Sequence, residues 1–508
     1  MTRFGFSHPL ILPLAVGLVL RLAAAWWSTG YLMHDDHFLV VEVGASWSDG
    51  EDYNNWLPWN QAGTPEPKPG NFAYPGLQML LFDLLDWTGP DRPSHQMTVI
   101  RLLHGLYGCL IILLGYHLTL SLAPDRKSLA TTTAWLLAAG GFWPLISVHQ
   151  LVEVVCIPPL LLCFWLLARR DRLDWRDVVL AGVGLGIATG LRFQCGLIGL
   201  GLIPVFLAER NPRTLLGLGL TALGTFVLMQ SPDLFVWGEP FVQLRGYIAY
   251  NAEHAGEYPS GPWYQYGLTL LGLLVPPVSL MLLWGALHPG RSSVPTRWWR
   301  IAIPVLVFLL FHSLFSNKQE RFILPVIPAL IALGVIGWDL WRHRSQWWQR
   351  RPRLESALWG LFWAVNVALL AVSIPYEAKR ARVYAMDFLW QQGAQSFAMV
   401  QVDSGAMPPQ FYSGTWTSYP VDNRQDGGGR PVADVVSGWC AIEPEYILFQ
   451  GRAHLAESVQ EYKTTLPGLQ YLTTIQSSPI DRWLERINPI NSSERIMIYA
   501  LDDALDCP

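Results

Sequence analysis

Apolar runs of roughly twenty residues, separated by short polar segments, recur along most of the chain. A helix needs roughly 20 apolar residues to cross the hydrocarbon core of a bilayer. On that measure, spans are predicted over 9–27, 98–123, 128–148, 150–168, 176–191, 193–208, 214–231, 264–287, 301–315, 322–341 and 355–374. The pattern predicts an all-α polytopic membrane protein with about eleven transmembrane helices. The adjacent stretches 176–191 and 193–208 are short and glycine-rich, so their boundaries are weakly marked. Residues 72–87, FAYPGLQMLLFDLLDW, are apolar too. A Pro-Gly pair and two aspartates, Asp83 and Asp86, interrupt them, so this run reads as interfacial or re-entrant. From residue 375 the pattern changes. Strand-like stretches such as FAMVQVDS and AIEPEYILF alternate with turn signals such as DNRQDGGGRP, which predicts a small α/β domain over 375–508.

Lys and Arg concentrate in cytoplasmic loops. With the N-terminus cytoplasmic, basic residues fall in every cytoplasmic segment: Arg3, 126–127, 169–176, 210–213, 291–300 and 342–353. The long opposite loops, 28–71 and 232–263, hold only Lys68 and Arg245. Eleven spans then leave 375–508 outside the cytoplasm, and a change of one span would break the alternation. The first run is long enough to span and lacks a small-residue cleavage site, so no cleavable signal peptide is expected.

Composition agrees with a membrane class. Hydrophobic residues make up 51% of the 508 and charged residues 15%, against about 25% charged in soluble domains. The 25 tryptophans suit interfacial belts. A net charge of -4 gives no reason to expect a nucleic-acid partner. Cys109, Cys156, Cys163 and Cys195 lie in apolar stretches as small core residues. Cys440 and Cys507 lie in the polar tail, where oxidation would allow them to pair. No spacing of cysteines suits a metal.

Ionisable residues within spans are costly and mark functional sites by default. In the orientation above, Arg21, Arg101, His104, His149, Glu153, Arg192, Lys318, Glu320 and Arg321 all fall near non-cytoplasmic span ends, and Asp35, Asp36 and Glu42 follow the first span on that side. Snorkelling and helix-end pairing explain any one of them; the set suggests a shared polar cavity. In YLMHDDHFLVVEVG a continuous helix would place Glu42 two turns after Asp35 on one face. A carboxylate there is a candidate general base. Cations beside it would neutralise a phosphate leaving group. Two further segments stand out. SNKQERFILPVIP, 316–328, runs a charged loop into a span with two prolines, and YPSGPWYQY, 258–266, gathers aromatics suited to a sugar or lipid groove.

These segments, in this order, resemble glycosyltransferase family 22, the dolichol-phosphate-mannose-dependent alpha-mannosyltransferases of asparagine-linked glycan and GPI-anchor assembly. The family's acid motif is matched by Asp35, Asp36, Phe38 and Glu42. Its Lys-to-Pro motif is matched by NKQERFILPVIP, 317–328, with Lys318, Glu320 and Arg321. Its aromatic stretch is matched by Tyr258, Pro262, Trp263 and Tyr266, and Glu153 and Arg192 resemble its further polar positions. The chain departs from the pattern at Asp36 for Glu, Asn317 for His, Gln319 for Glu and Tyr264 for His.

The resemblance implies a GT-C fold. It assigns 1–374 to a transmembrane catalytic domain, with 28–97 a large first external loop carrying interfacial helices and the catalytic acid. It implies inverting transfer of a sugar, mannose by expectation, from a polyprenyl-phosphate donor to a glycolipid or glycan acceptor. Neither a nucleotide nor an obligatory metal is needed, with a divalent cation left open. Asp35 is the expected base. Asp36, Glu42 and Glu153 are expected as active-site acids, and Lys318, Arg321 and Arg192 as ligands of the donor phosphate. Tyr258, Trp263, Tyr266 and Glu320 would line the sugar or lipid. A distant bacterial member would work at the periplasmic face of the inner membrane; a eukaryotic one would work at the lumenal face of the endoplasmic reticulum. The alternatives are a glycolipid transporter or flippase, and lipid-phosphate-dependent transfer of another group such as aminoarabinose or phosphoethanolamine. A transporter should show inverted repeats and midplane charges. No internal repeat is visible here, and the charges gather at one face.

Overall fold

The computed structural model describes residues 8–501 except 69, 90, 255, 259, 291–293, 404, 426–429 and 489–492. Helix covers most of each of the eleven apolar stretches. Five helices among the described residues are long and apolar enough to cross a membrane: Pro93–Leu122, Pro212–Val236, Thr296–Leu314, Glu320–Arg342 and Pro352–Ser373. Others are broken where the backbone demands it. The third stretch divides into Lys127–Ala139 and Trp143–Val148 around Gly140 and Gly141. The eighth divides into Gln265–Leu273 and Val278–Leu287 around Pro276 and Pro277, because proline cannot supply the helical N–H. The run expected to be interfacial is a helix, Ala73–Thr88.

The chain forms two compact units. The first comprises residues up to Trp26, Asn55–Leu77 and Arg101–Pro375; the second comprises Trp27–Asn54, Gln78–Ile100 and the chain from Tyr376. The expected break at 374/375 lies beside one of these borders. The first external loop, expected as part of the catalytic domain, contributes much of its length to the second unit.

The helices of the first unit cross closely where side chains are smallest. Gly182, Gly186 and Gly190 repeat every fourth residue on Trp175–Leu191 and meet Pro212–Met229. A Cβ on Gly186 would lie 2.6 Å from the Ala222 carbonyl oxygen, one on Gly190 2.5 Å from Met229 Sδ, and one on Gly182 would collide with Thr221. Small residues let backbones approach, and that approach supplies the packing contacts that the hydrophobic effect cannot supply in lipid. The far end of this helix carries Arg192. Asn71 caps it, its Nδ2 donating to the Leu191 carbonyl at 3.2 Å.

The second unit is built on a five-stranded sheet: β1 (Phe397–Gln401), β2 (Val421–Asn423), β3 (Tyr446–Gly451), β4 (Leu469–Ile475) and β5 (Arg495–Leu501). Its order is β2-β1-β3-β5-β4. β1 runs parallel to both neighbours, and β5 runs antiparallel to β3 and β4. Successive strand residues point to opposite faces. Ala398, Val400, Ile447 and Phe449 face the helices Val432–Ser437 and Leu455–Thr465. Phe397, Met399, Leu448 and Ile498 face the other way. There they pack with Ala385, Met386 and Leu389 and with first-loop residues Tyr31, Phe38, Val41 and Phe82. The loop is thus one layer of the tail's own core.

Candidate active site

The first unit holds a cationic cluster. Glu153 is fully buried on the one-turn helix Val152–Val155, between a non-helical stretch at His149–Leu151 and the helix Ile157–Ala168. Arg192 Nη1 lies 2.9 Å from its carboxylate and Arg321 Nε lies 3.4 Å from it. Arg192 stands where Trp175–Leu191 ends and a 3-10 turn, Phe193–Cys195, begins. Its guanidinium lies 5.0 Å from the Phe322 ring centroid, and Arg321 lies 5.9 Å from the same ring. Two guanidiniums share one carboxylate. Arg192 Nε and Nη2 are buried with no hydrogen-bond partner among the described residues, an arrangement that favours an added anion.

Lys318 and Tyr266 are placed otherwise than expected. All three Lys318 ammonium protons are engaged: Nζ donates to the carbonyls of His312 and Ser313, each at 2.9 Å, and to that of Phe315. These carbonyls close the helix Trp299–Leu314, whose last C=O groups lack partners within the helix. Lys318 therefore fixes the loop that carries Arg321. Tyr266, expected to line a groove, is buried, donates to the Gln319 carbonyl at 3.2 Å, and lies under the Lys318 ammonium. It braces the motif. The two motifs meet at an antiparallel bridge between Ser260 and Asn317. Trp263 and Glu320 are exposed. Tyr258 is half-buried, its hydroxyl 2.7 Å from that of Tyr250. Arg21 is likewise structural, donating to the carbonyls of Leu137 at 3.1 Å and Ala138 at 3.3 Å.

The second unit holds Asp35, Asp36 and Glu42. His34–Asp36 is a single helical turn, followed by a π-helical turn, His37–Val41, and an α-helix, Glu42–Ser48. A π-turn takes one extra residue, and such turns frequently mark functional sites. Glu42 is thereby rotated away from the face of Asp35 that a continuous α-helix would give, by about one residue's turn, roughly 100°. Asp35 is exposed, Asp36 is buried and Glu42 is fully buried. The expected shared face of Asp35 and Glu42 does not form.

Glu42 instead joins the loop to the tail. Its carboxylate accepts from the Phe411 N–H at 3.0 and 3.2 Å and sits 2.9 Å from His37 Nε2. The His37 ring is stacked between Tyr31 and Tyr412, at centroid distances of 4.4 and 5.8 Å. Burial pushes the Glu42 carboxyl well above its ordinary range and the His37 imidazole down to about 3, so the pair favours its uncharged form. The signs follow. Glu42's contribution is full below the unfolded carboxylate value, about 4.3, and is lost as pH rises towards its raised folded value. That of His37 is full above about 6.5 and is lost as pH falls towards 3. Of these two groups, only Glu42 changes as pH rises beyond about 6.5. Amide exchange at Phe411, corrected for intrinsic rate, is expected to lose protection progressively as pH rises beyond about 6.5 in the native chain. In Glu42→Gln, which keeps shape and hydrogen bonding, that pH dependence should vanish. An equal slope in both proteins would remove Glu42 as the titrating group.

A second link, invisible to sequence patterning, holds the backbone leading to Asp35. Ser28 Oγ donates to the Tyr376 carbonyl at 2.7 Å, Thr29 Oγ1 to Glu377 at 3.0 Å, and Lys379 Nζ to the Leu32 carbonyl at 2.7 Å. Gly30 approaches the Ala378 backbone so closely that a Cβ would collide with the Ala378 carbonyl oxygen. Arg382 grips Glu494 and reaches the Tyr31 hydroxyl at 3.3 Å. Residues 28–32 and 376–382 therefore run side by side, in step. Burial and the charge of Arg382 bring the Lys379 ammonium down to about 8. Cys440 is disulfide-bonded, and Cys507 lies outside the described residues.

The chain is 22% identical over 342 residues to mannosyltransferase APTG1 of Arabidopsis thaliana, covering 62% of this chain and 57% of that protein. It is 25% identical over 197 residues to alpha-1,2-mannosyltransferase ALG9 of Mus musculus, covering 36% and 32%. The matches thus span about half and a third of those relatives. Among solved structures, ArnT from Cupriavidus metallidurans bound to undecaprenyl phosphate superposes with a TM-score of 0.62 at 14% identity, over 98% of this chain and 99% of that one. That likeness shows a common GT-C fold, and with the apolar helices it makes the chain a multi-pass membrane protein. The profile of the Alg9-like mannosyltransferase family matches residues 12–400, more than half of the chain, and on that match the chain belongs to this family.

Proposed function

We propose that the chain is an inverting glycosyltransferase moving a sugar, mannose on this reading, from a polyprenyl-phosphate donor to a glycolipid or glycan acceptor at the non-cytoplasmic membrane face. One observation carries this: two buried or half-buried guanidiniums share the single carboxylate of Glu153, and two nitrogens of Arg192 have no hydrogen-bond partner among the described residues. Such a site suits the phosphate of a lipid donor. Family membership and the polyprenyl phosphate bound by a neighbour of the same fold support the donor class.

In this scheme Asp35 takes the proton of the acceptor hydroxyl. The freed oxygen attacks the anomeric carbon from the face opposite phosphate, and the carbon–phosphate-oxygen bond breaks. Polyprenyl phosphate leaves with the electron pair, stabilised by Arg192 and Arg321. A beta-linked donor yields an alpha-linked product. Lys318 positions the Arg321 loop through its carbonyl bonds. Purified protein in nanodiscs, given polyprenyl-phosphate mannose and candidate acceptors, is expected to release polyprenyl phosphate in step with a mannosylated product. Glycolipid movement across the bilayer with no sugar transfer would overturn the reading in favour of a flippase.

Eleven crossings with a cytoplasmic N-terminus belong to the same proposal. Single cysteines in place of Leu173 and Ser345 are expected to resist an impermeant thiol reagent in intact cells, and one in place of Gln425 is expected to react. The opposite pattern would invert the topology and move the acids to the cytoplasmic face.

A further inference from the structure

The helix Pro479–Ile487 is amphipathic in an unusual sense. A helix on a soluble domain turns its apolar stripe to the core. Here the acidic stripe is tied to the protein. Asp481 accepts from the Tyr376 hydroxyl at 3.2 Å and from Ser478 Oγ at 2.8 Å, and Glu485 accepts from Ser493 Oγ. The apolar stripe points outward: Trp483 is 55% exposed, Leu484 38% and Ile487 62%. At about 100° per residue, Ile480 shares that stripe, and Arg482 and Arg486, both exposed, form a third stripe at its margin. The tie to Tyr376 also fixes where the helix stands along the chain. Tyr376 follows the end of Pro352–Ser373, a helix long and apolar enough to cross a membrane, by three residues. Three extended residues reach at most about 11 Å, so the Tyr376 anchor lies within reach of the bilayer edge.

We infer that Pro479–Ile487 is an interfacial helix that seats the tail on the lipid surface of the same membrane the chain spans. Trp483, Leu484 and Ile487 enter the boundary between headgroups and acyl chains, where an outward apolar face gains by burial and tryptophan is favoured. Arg482 and Arg486 reach lipid phosphates from the margin, burying their stems on the way. A protein partner would use the same apolar stripe and gain nothing from its closeness to a span end. The occupant argued here is therefore the bilayer.

The test uses the full chain in nanodiscs with nitroxide labels at Trp483→Cys, Ile487→Cys and, as a third site, Leu484→Cys. Lys463→Cys, on the helix Leu455–Thr465, serves as the aqueous control. The four cysteines that are free among the described residues are buried or half-buried, and the unmutated protein sets the labelling background. Power saturation is expected to show collision with oxygen exceeding collision with a water-soluble nickel chelate at 483, 484 and 487, with the reverse at 463. Exchanging part of the phosphatidylcholine for phosphatidylglycerol should deepen the three labels. Preference for the nickel chelate at all three positions would overturn the proposal and leave the stripe as a protein-binding surface. Sugar transfer is not measured, so the outcome is independent of the catalytic reading.

Discussion

Asp35→Asn is expected to bind donor normally and to turn over at least about a hundredfold more slowly, the scale of general-base catalysis. Asn keeps the size and one hydrogen-bonding oxygen while removing basicity. The choice of Asp35 over its neighbour rests on exposure. Asp35 is exposed on the turn His34–Asp36, whereas Asp36 is 6% exposed. An acceptor must reach the carboxylate that takes its proton, and only Asp35 is open to one. Asp36→Asn is expected to act on the fold of the loop, lowering thermal stability, with turnover falling no further than the folded fraction does. Steady-state turnover with donor binding measured in parallel separates the two. Near-normal turnover of Asp35→Asn beside collapse in well-folded Asp36→Asn would transfer the base to Asp36. The link between residues 28–32 and 376–382 adds a check on position: Lys379→Met releases the Leu32 carbonyl and should lower kcat with little change in donor binding, and Lys379→Arg should recover part of it.

The apolar helices were legible because a bilayer imposes one length on every helix that crosses it. The acid and Lys-to-Pro segments were legible as motifs because charged side chains are costly near a membrane, and the aromatic segment because its rings gather at the interface. What the motifs do locally was less legible. The π-turn at His37–Val41 leaves no trace in apolar periodicity, so Asp35 and Glu42 were expected on one face. Lys318 reads as a free cation in a string of letters. Its engagement with three carbonyls depends on how the chain folds back after the helix Trp299–Leu314. The loop-to-tail links join residues about 350 apart, Ser28 to Tyr376 and Glu42 to Phe411; no local spacing or periodicity couples such positions. Gly182, Gly186 and Gly190 carry a usable signal, the four-residue spacing of small residues, which run length alone shows only as a weakly marked boundary.

The second large effect is expected at Arg192. Arg192→Lys keeps the charge and loses the planar fork, so it can serve Glu153 or the phosphate and not both with good geometry. The donor KM is expected to rise at least about tenfold, since a charge-assisted hydrogen bond contributes roughly 1.5–3 kcal/mol, with kcat changing much less. Arg192→Ala is a poorer probe. It withdraws the nearer partner of a fully buried carboxylate, and breaking such a pair typically costs about 3–5 kcal/mol, so loss of fold would mask loss of binding. The double variant Glu153→Gln with Arg192→Gln avoids this, because it removes one charge of each sign. It should remain folded and lose donor affinity. Lys318 supplies the contrast. Lys318→Met leaves three helix-end carbonyls without their donor, so it should lower stability and leave the donor KM of the folded fraction nearly unchanged. Donor titration of all three variants, each with its folded fraction measured, decides between them. A tenfold rise in KM in Lys318→Met beside an unchanged Arg192→Lys would move the phosphate from the Glu153 cluster to the end of Trp299–Leu314.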